Sequence, residues 1–110
     1  LYSLYLIQQY KGETMDSGRV TYTRCNHVEW MIGVDGRITV KDLESNWFFP
    51  LNEVASLIWD LMDGTYTITE MVDYICSEYD AQPTTVKSDV SDFVEQALDL
   101  NLVEEQLNRH

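Results

Sequence analysis

LNEVASLIWDLMDGTYTITEMVD, residues 51–73, holds two helix starts and one helix stop. Asn52 is a good N-cap for the run Val54, Ala55, Ile58, Trp59, Leu61 and Met62, whose spacing is helical. Gly64 stands where a helix ending at Asp63 needs a left-handed residue. Thr67 and Glu70 have the spacing of a capping box, with Tyr66 and Met71 placed as its hydrophobic staple. The stretch predicts a helix over 52–63, a tight turn and a second helix over 67–79, which together make a helix-turn-helix-like unit.

Downstream, Ile68, Met71, Val72, Ile75 and Tyr79 form one apolar stripe, while Glu70, Asp73 and Glu78 stay with solvent. Pro83 suits the first turn of a third helix over 84–100, whose stripe is Val86, Val90, Phe93, Val94, Ala97 and Leu98. Asn101 is expected to adopt a left-handed cap that folds Leu102 and Val103 back onto the core. Upstream, Trp30, Ile32 and Val34 alternate with Glu29, Met31 and Gly33, and Ile38 and Val40 alternate with Arg37, Thr39 and Lys41. Asp35-Gly36 between them is the favoured type I′ hairpin dipeptide, so strands are placed at 28–34 and 37–43. Glu44-Ser45-Asn46 reads as a second turn and Trp47-Phe48-Phe49 as a short third strand, ended or marked as an edge by Pro50. The fold class expected is α+β, winged-helix-turn-helix-like: a three-stranded antiparallel meander followed by three helices. Residues 28–104 would form the domain, 1–27 an N-terminal extension acting as an extra strand or arm, and 105–110 a C-terminal tail.

A chain of 110 residues with 45% apolar content supports one modest core. The net charge of -12 is uneven. Residues 1–41 carry five bases and four acids, whereas 42–110 carry two bases and fifteen acids. Such a helical half repels phosphate backbones and anionic lipid heads and favours cationic protein patches or neutral, apolar peptides. Cys25 and Cys76 lack CxxC or Cys/His spacing, which fits two reduced thiols in a cytoplasmic protein. No apolar run approaches the roughly 18 residues of a membrane span. LYSLYLI lacks the basic start and cleavage pattern of a signal peptide, and the missing initiator Met leaves room for a longer native chain.

The strand pair around Asp35-Gly36, the aromatic strand running into Leu51-Asn52-Glu53, Ile58-Trp59, Asp63-Gly64, Thr67-Ile68-Thr69-Glu70, Asp89-Val90, Phe93-Val94 and Leu102-Val103 together resemble the PqqD-like family, also called the RiPP recognition element. The resemblance spans about 28–104. Pro50 departs from the aliphatic or aromatic residue frequent in the family, and Asn101 from a frequent glycine. What the resemblance implies is a non-catalytic, cofactor-free domain that binds the leader segment of a ribosomally made precursor peptide, as a peptide chaperone in RiPP or quinone-cofactor biosynthesis. Its partners would be that leader and a modifying enzyme: a radical-SAM maturase, another tailoring enzyme or a leader peptidase. The leader would add as a strand to the edge of the third strand, facing the third helix. The residues expected to bind it are Asn46, Trp47, Phe48 and Phe49 on the strand and Val86, Asp89, Val90, Phe93 and Gln96 on the helix. By alternation Trp47, Phe49 and Leu51 share one face and Phe48 takes the other.

Aromatic runs usually pack cores, but three consecutive large rings cannot all point inward from one strand, so one needs a second partner. Asp89, Asp92, Glu95 and Asp99 read most simply as a solvated face, ranked ahead of selecting a basic leader or a basic patch on an enzyme. His27 and His110 show no acid or nucleophile partner in the sequence, and no catalytic triad, HExxH or phosphate loop occurs. A winged-helix topology also suggests DNA binding, yet the third helix offers Lys87 against four acids, so nucleic acid is ranked below peptide. A structural adaptor domain of a larger maturase is the other alternative. The alternation of tyrosine and aliphatic residues in LYSLYLIQQYKG would let the extension occupy the cleft in cis or build a dimer.

Overall fold

Asn52 and Thr67 start helices because each side chain can satisfy a backbone N–H that the first turn leaves without a partner. In the computed structural model, which describes residues 19–108, Asn52 Oδ1 accepts from Ala55 N at 2.8 Å and opens α1, Glu53–Asp60. Thr67 Oγ1 accepts from Glu70 N at 3.2 Å, and Glu70 Oε1 accepts from Thr67 N at 3.0 Å. This completed capping box opens α2, Ile68–Glu78. The third helix, α3, runs Pro83–Asp99 with the proline in its first turn.

The strands are β1 Arg19–Arg24, β2 Val28–Ile32, β3 Ile38–Asp42, β4 Phe48–Pro50 and β5 Val103–Asn108. β2, β3 and β4 form an antiparallel sheet in that order, the expected meander, and β1 pairs antiparallel with β5 in a separate ribbon. The architecture is thus α+β, with the meander leading into three helices. The ribbon joins residues on both sides of the 28–104 span: Arg19 lies opposite Asn108, and Arg24 opposite Val103. Thr21 and Tyr22 are adjacent yet both buried, so the ribbon is covered on both faces there. Arg19 pairs with Glu70 and donates to Thr65 O at 3.0 Å, tying the start of β1 to the start of α2. LYSLYLIQQYKG and His110, for which expectations were stated, lie outside the described residues.

Two local expectations are corrected. The β2–β3 connection is not a two-residue type I′ turn, because Asp35 does not take a positive φ and only Gly36 does, at 84°. Gly33 N donates to Arg37 O at 2.8 Å and Gly36 N to Gly33 O at 3.0 Å. That pattern is a three-residue loop ending in a left-handed glycine, which an Asp-Gly dipeptide fits equally well. The strands accordingly stop at Ile32 and resume at Ile38. Likewise α1 ends at Asp60, not Asp63: Leu61 N donates to Ile58 O and Met62 N to Trp59 O, tightening the final turn. Gly64 is left-handed at φ 89°, but its N–H bonds to Tyr22 O at 2.9 Å rather than to the helix. Its job is to seat the α1–α2 link on β1. A Cβ there would lie 2.9 Å from the Gln106 side-chain oxygen.

The stop after α3 follows the expectation. Asn101 takes φ 59°, its N–H bonds to Leu98 O, and Leu102 N reaches back to Ala97 O at 2.9 Å, the paired bonds of a Schellman motif. Leu102 and Val103 are buried as a result. Trp59, Met62, Met71, Val40 and Val90 are wholly buried and join the helices to the inner face of β3. Arg24 braces this core from β1: its Nη1 donates to Trp59 O at 3.0 Å while its guanidinium lies 4.4 Å from the Trp30 ring centre. Trp30 in turn meets Trp59 edge to face at 5.7 Å.

Candidate functional site

The β3–β4 turn determines what β4 can offer. Asp42 Oδ1 accepts from Glu44 N at 2.9 Å, Asn46 N donates to Asp42 O at 2.7 Å, and Asn46 takes the left-handed φ of 64° that short polar side chains tolerate. Asp42 N then donates to Trp47 O, and at the other end Leu51 N donates to Ile38 O, both at 2.9 Å. With Val40 opposite Phe49, those bonds set the phase of the ladder. Phe49 turns its N–H and C=O toward β3, whereas Phe48 and Pro50 turn theirs away, to the side where no strand follows. Pro50 has no N–H. The open edge therefore presents one donor, Phe48 N–H, and two acceptors, the carbonyls of Phe48 and Pro50.

Side chains divide by the same alternation. Phe49 and Leu51 are half-buried against the core, and Phe48 is 57% exposed on the opposite face, with Lys41 Nζ 5.4 Å from its ring centre. Trp47, expected on the face of Phe49, precedes the strand proper and is 67% exposed, because the alternation starts only at Phe48.

On α3, Val86 and Val90 are buried, the latter completely, so they support the wall from behind. Asp89, Phe93 and Gln96 turn instead to a hollow of about 250 Å³ between α1 and α3. Asp92 joins them from α3, and Asn52, Val54, Ala55 and Ile58 from α1. Asn52 lies two residues past the end of β4, so the hollow opens where the exposed edge runs out. The structure thus brings Asp89, Phe93 and Gln96 together at one end of the edge formed by Trp47, Phe48 and Phe49, with Asn46 at its other end. Sequence reasoning missed the α1 side of the hollow. Asn52 was fully accounted for as a cap and Val54, Ala55 and Ile58 as a core stripe. Asp92, three residues from Asp89 and so on the same helix face, was the available signal.

One grouping among the described residues has spacing suited to a metal ion: His27, Asp42 and Glu44 each offer a ligand atom within 4.8 Å of the others. These are acid neighbours for His27 that the sequence did not reveal. The residues are already engaged. His27 Nε2 lies 2.8 Å from Asn101 O and must donate to it, since a carbonyl only accepts. The Glu44 N–H, helped by Ser45 and by the His27 charge, holds the Asp42 carboxyl below its ordinary value. His27 O also accepts from Leu43 N at 2.8 Å, so His27 ties the β1–β2 turn to the β3–β4 turn and to the end of α3. Burial, then Glu104, Glu44 and Asp42, push the nearby Cys25 thiol up, which disfavours its thiolate form.

Charge around the hollow has one sign. The ion pairs among the described residues are Arg19–Glu70 and Arg37–Asp35, and neither touches α3. Asp89 and Asp92 are exposed and carry no such partner. Among the described residues no helix is long and apolar enough to cross a membrane.

The same arrangement of strands and helices occurs in solved structures. TbiB1 in complex with the TbiA(beta) leader peptide is 28% identical, with a TM-score of 0.67 over 78% of this chain and 99% of that one. A lasso peptide synthetase B1 complexed with its leader peptide is 17% identical, with a TM-score of 0.67 over 76% of this chain and 96% of that one. The PqqD truncation of Methylobacterium extorquens PqqCD, a stand-alone RiPP recognition element, is 19% identical, with a TM-score of 0.63 over 76% of this chain and 87% of that one. No curated protein matches. The family model for coenzyme PQQ synthesis protein D (PqqD) matches residues 38–103. Because that match takes in β3, the open strand β4, all three helices and the hollow, and covers more than half of the sequence, the chain belongs to the PqqD family.

Proposed function

We propose that this protein binds the leader segment of a ribosomally made precursor peptide as an added strand on β4, and holds the precursor for a modifying enzyme. The observation that carries the reading is the open edge at Phe48 and Pro50 beside the hollow of α1 and α3. The likeness to TbiB1, whose structure holds a leader peptide, supports it. Backbone pairing supplies sequence-tolerant affinity, and the hollow supplies side-chain selection. The edge is short. A strand paired there gains both bonds of Phe48 but only an acceptor at Pro50, each bond contributing about 0.5–1.5 kcal/mol net, so much of the affinity must come from side chains at the hollow.

The protein performs no chemistry of its own in this account. It converts the meeting of precursor and enzyme into a near-intramolecular event by raising effective concentration. A radical-SAM maturase, another tailoring enzyme or a leader peptidase fits the enzyme's place, and the encounter takes place in the cytoplasm. The test is titration of synthetic leader peptides of candidate precursors while following amide shifts. Saturable changes centred on Phe48–Leu51 and Asp89–Gln96 are expected; no saturable binding, or changes confined to the β1–β5 ribbon, would refute the reading.

A further inference from the structure

The hollow beside β4 does not end at α1. A second hollow, of about 280 Å³, lies between α1, α2 and the start of α3, and Val54 and Asp89 border both. Its walls are mostly apolar: Leu57, Ile75, Tyr79 and Val86, closed at the rim by Thr85. Val54 is 44% exposed and Tyr79 is 50% exposed, so large apolar side chains stand in water here although the core nearby is closed. The two hollows are therefore successive depressions on one surface, separated by a ridge.

Asp89 stands on the ridge beside Val54, with an acid in each hollow next to it. Glu53 and Asp89 border the second hollow, and Asp89 and Asp92 border the first. No lysine or arginine lines either, and none of these carboxylates is ion-paired within the described residues. Glu53 begins α1, where the helix dipole favours an anion. Asp89 and Asp92 have no such compensation, since both lie beyond the first turn of α3 and repel one another at a spacing of three residues. A cation placed over Val54 would relieve that repulsion while its aliphatic stem covers exposed apolar surface.

Resting on the leader-binding reading above, the geometry points to a basic, doubly anchored peptide as the occupant: a leader whose strand on β4 continues across the ridge with a bulky apolar residue, a lysine or arginine, and a second bulky apolar residue. In an extended chain alternate side chains share a face. The pattern is thus apolar-x-basic-x-apolar, with the apolar residues in the two hollows and the cation between Asp89 and Asp92. The chain's surplus of negative charge in residues 42–110 acts in the same direction by drawing a cationic segment toward this surface.

The test is selection of phage-displayed random 12-residue peptides on the whole chain, followed by affinity measurement of synthetic winners on variants. Wild type should enrich the apolar-x-basic-x-apolar pattern. Asp89→Asn with Asp92→Asn should bind those peptides roughly three- to tenfold more weakly, with less sensitivity to salt, as expected for two partly exposed ion pairs. Thr85→Phe, which fills the second hollow from an exposed position, should weaken them by a similar factor, and Phe48→Pro should weaken every edge-binding peptide. Winners that depend on Phe48 but show no basic enrichment and ignore Asp89→Asn with Asp92→Asn would overturn this proposal and leave leader binding intact. Failure of both the selected peptides and the candidate leader peptides to bind would overturn the two together.

Discussion

The buried interior of residues 51–73 and the open cleft made by the β4 edge with the hollow between α1 and α3 meet at α1 and divide the protein's work. The inner side of the first region is closed: its caps are filled and Trp59, Met62 and Met71 have no exposed surface, while the outer face of α1, with Asn52 and Val54, is lent to the hollow. The second is open: Phe48 turns backbone groups outward, Trp47 and Phe48 are exposed, and Asp89 and Asp92 lack ion-pair partners among the described residues. The contrast separates stability from recognition. Changes in the closed region should unfold the protein, and changes in the open region should alter what it binds while it stays folded.

The largest effect should come from the closed region. Trp59→Ala removes a fully buried indole and the edge partner of Trp30, and should cost about 3–5 kcal/mol. Urea denaturation would show a lowered midpoint. Phe48→Pro should do the reverse, removing the one N–H donor of the edge and leaving a ligand carbonyl unpaired. A loss of about tenfold in peptide affinity is expected, with the unfolding midpoint nearly unchanged because the side chain is 57% exposed and edge strands accept proline.

Thr67→Ala should cost about 1 kcal/mol by opening the capping box, without changing peptide affinity, since α2's first turn does not border the cleft. The smallest effect is a pH response. The bond from Thr67 N–H, and after it Arg19, hold the Glu70 carboxyl below its ordinary value. Such a carboxylate stabilises the fold above its unfolded value and loses that contribution as pH falls through its lowered folded one. Acidification below the ordinary glutamate range should therefore lower the exchange protection of amides at the start of α2 and in β1, measured against their intrinsic rates at each pH. Unchanged protection at both places would contradict this.

The closed region was legible because its signals are local. Asn52, Thr67 with Glu70, and Asn101 each act within a few residues, and all behave as their spacing implies. Gly64 shows the limit of that logic. Its left-handed backbone was evident, but its partner, Tyr22 O, lies some forty residues earlier and belongs to a strand whose pairing with β5 no local pattern announces. Thr21 and Tyr22, buried side by side, erase the alternation that would have marked β1. The cleft was legible in part. The stripe of α3 pointed to Val86 and Val90 as readily as to Phe93, because helical periodicity identifies a face but not which shoulder a neighbour leaves uncovered. The placement of α1 makes that choice, burying Val90 and leaving Asp89, Phe93 and Gln96 at the hollow.

The most direct measurement is the amide spectrum of the whole chain titrated with synthetic leader peptides of candidate precursors, in wild type and in Phe48→Pro. Leader binding on β4 predicts saturable shifts at Phe48–Leu51 and Asp89–Gln96, protection of the Phe48 amide from exchange, and about tenfold weaker binding in the variant, consistent with one lost backbone bond. Equal affinity in both proteins, or a Phe48 amide that exchanges as fast with leader as without, would contradict it.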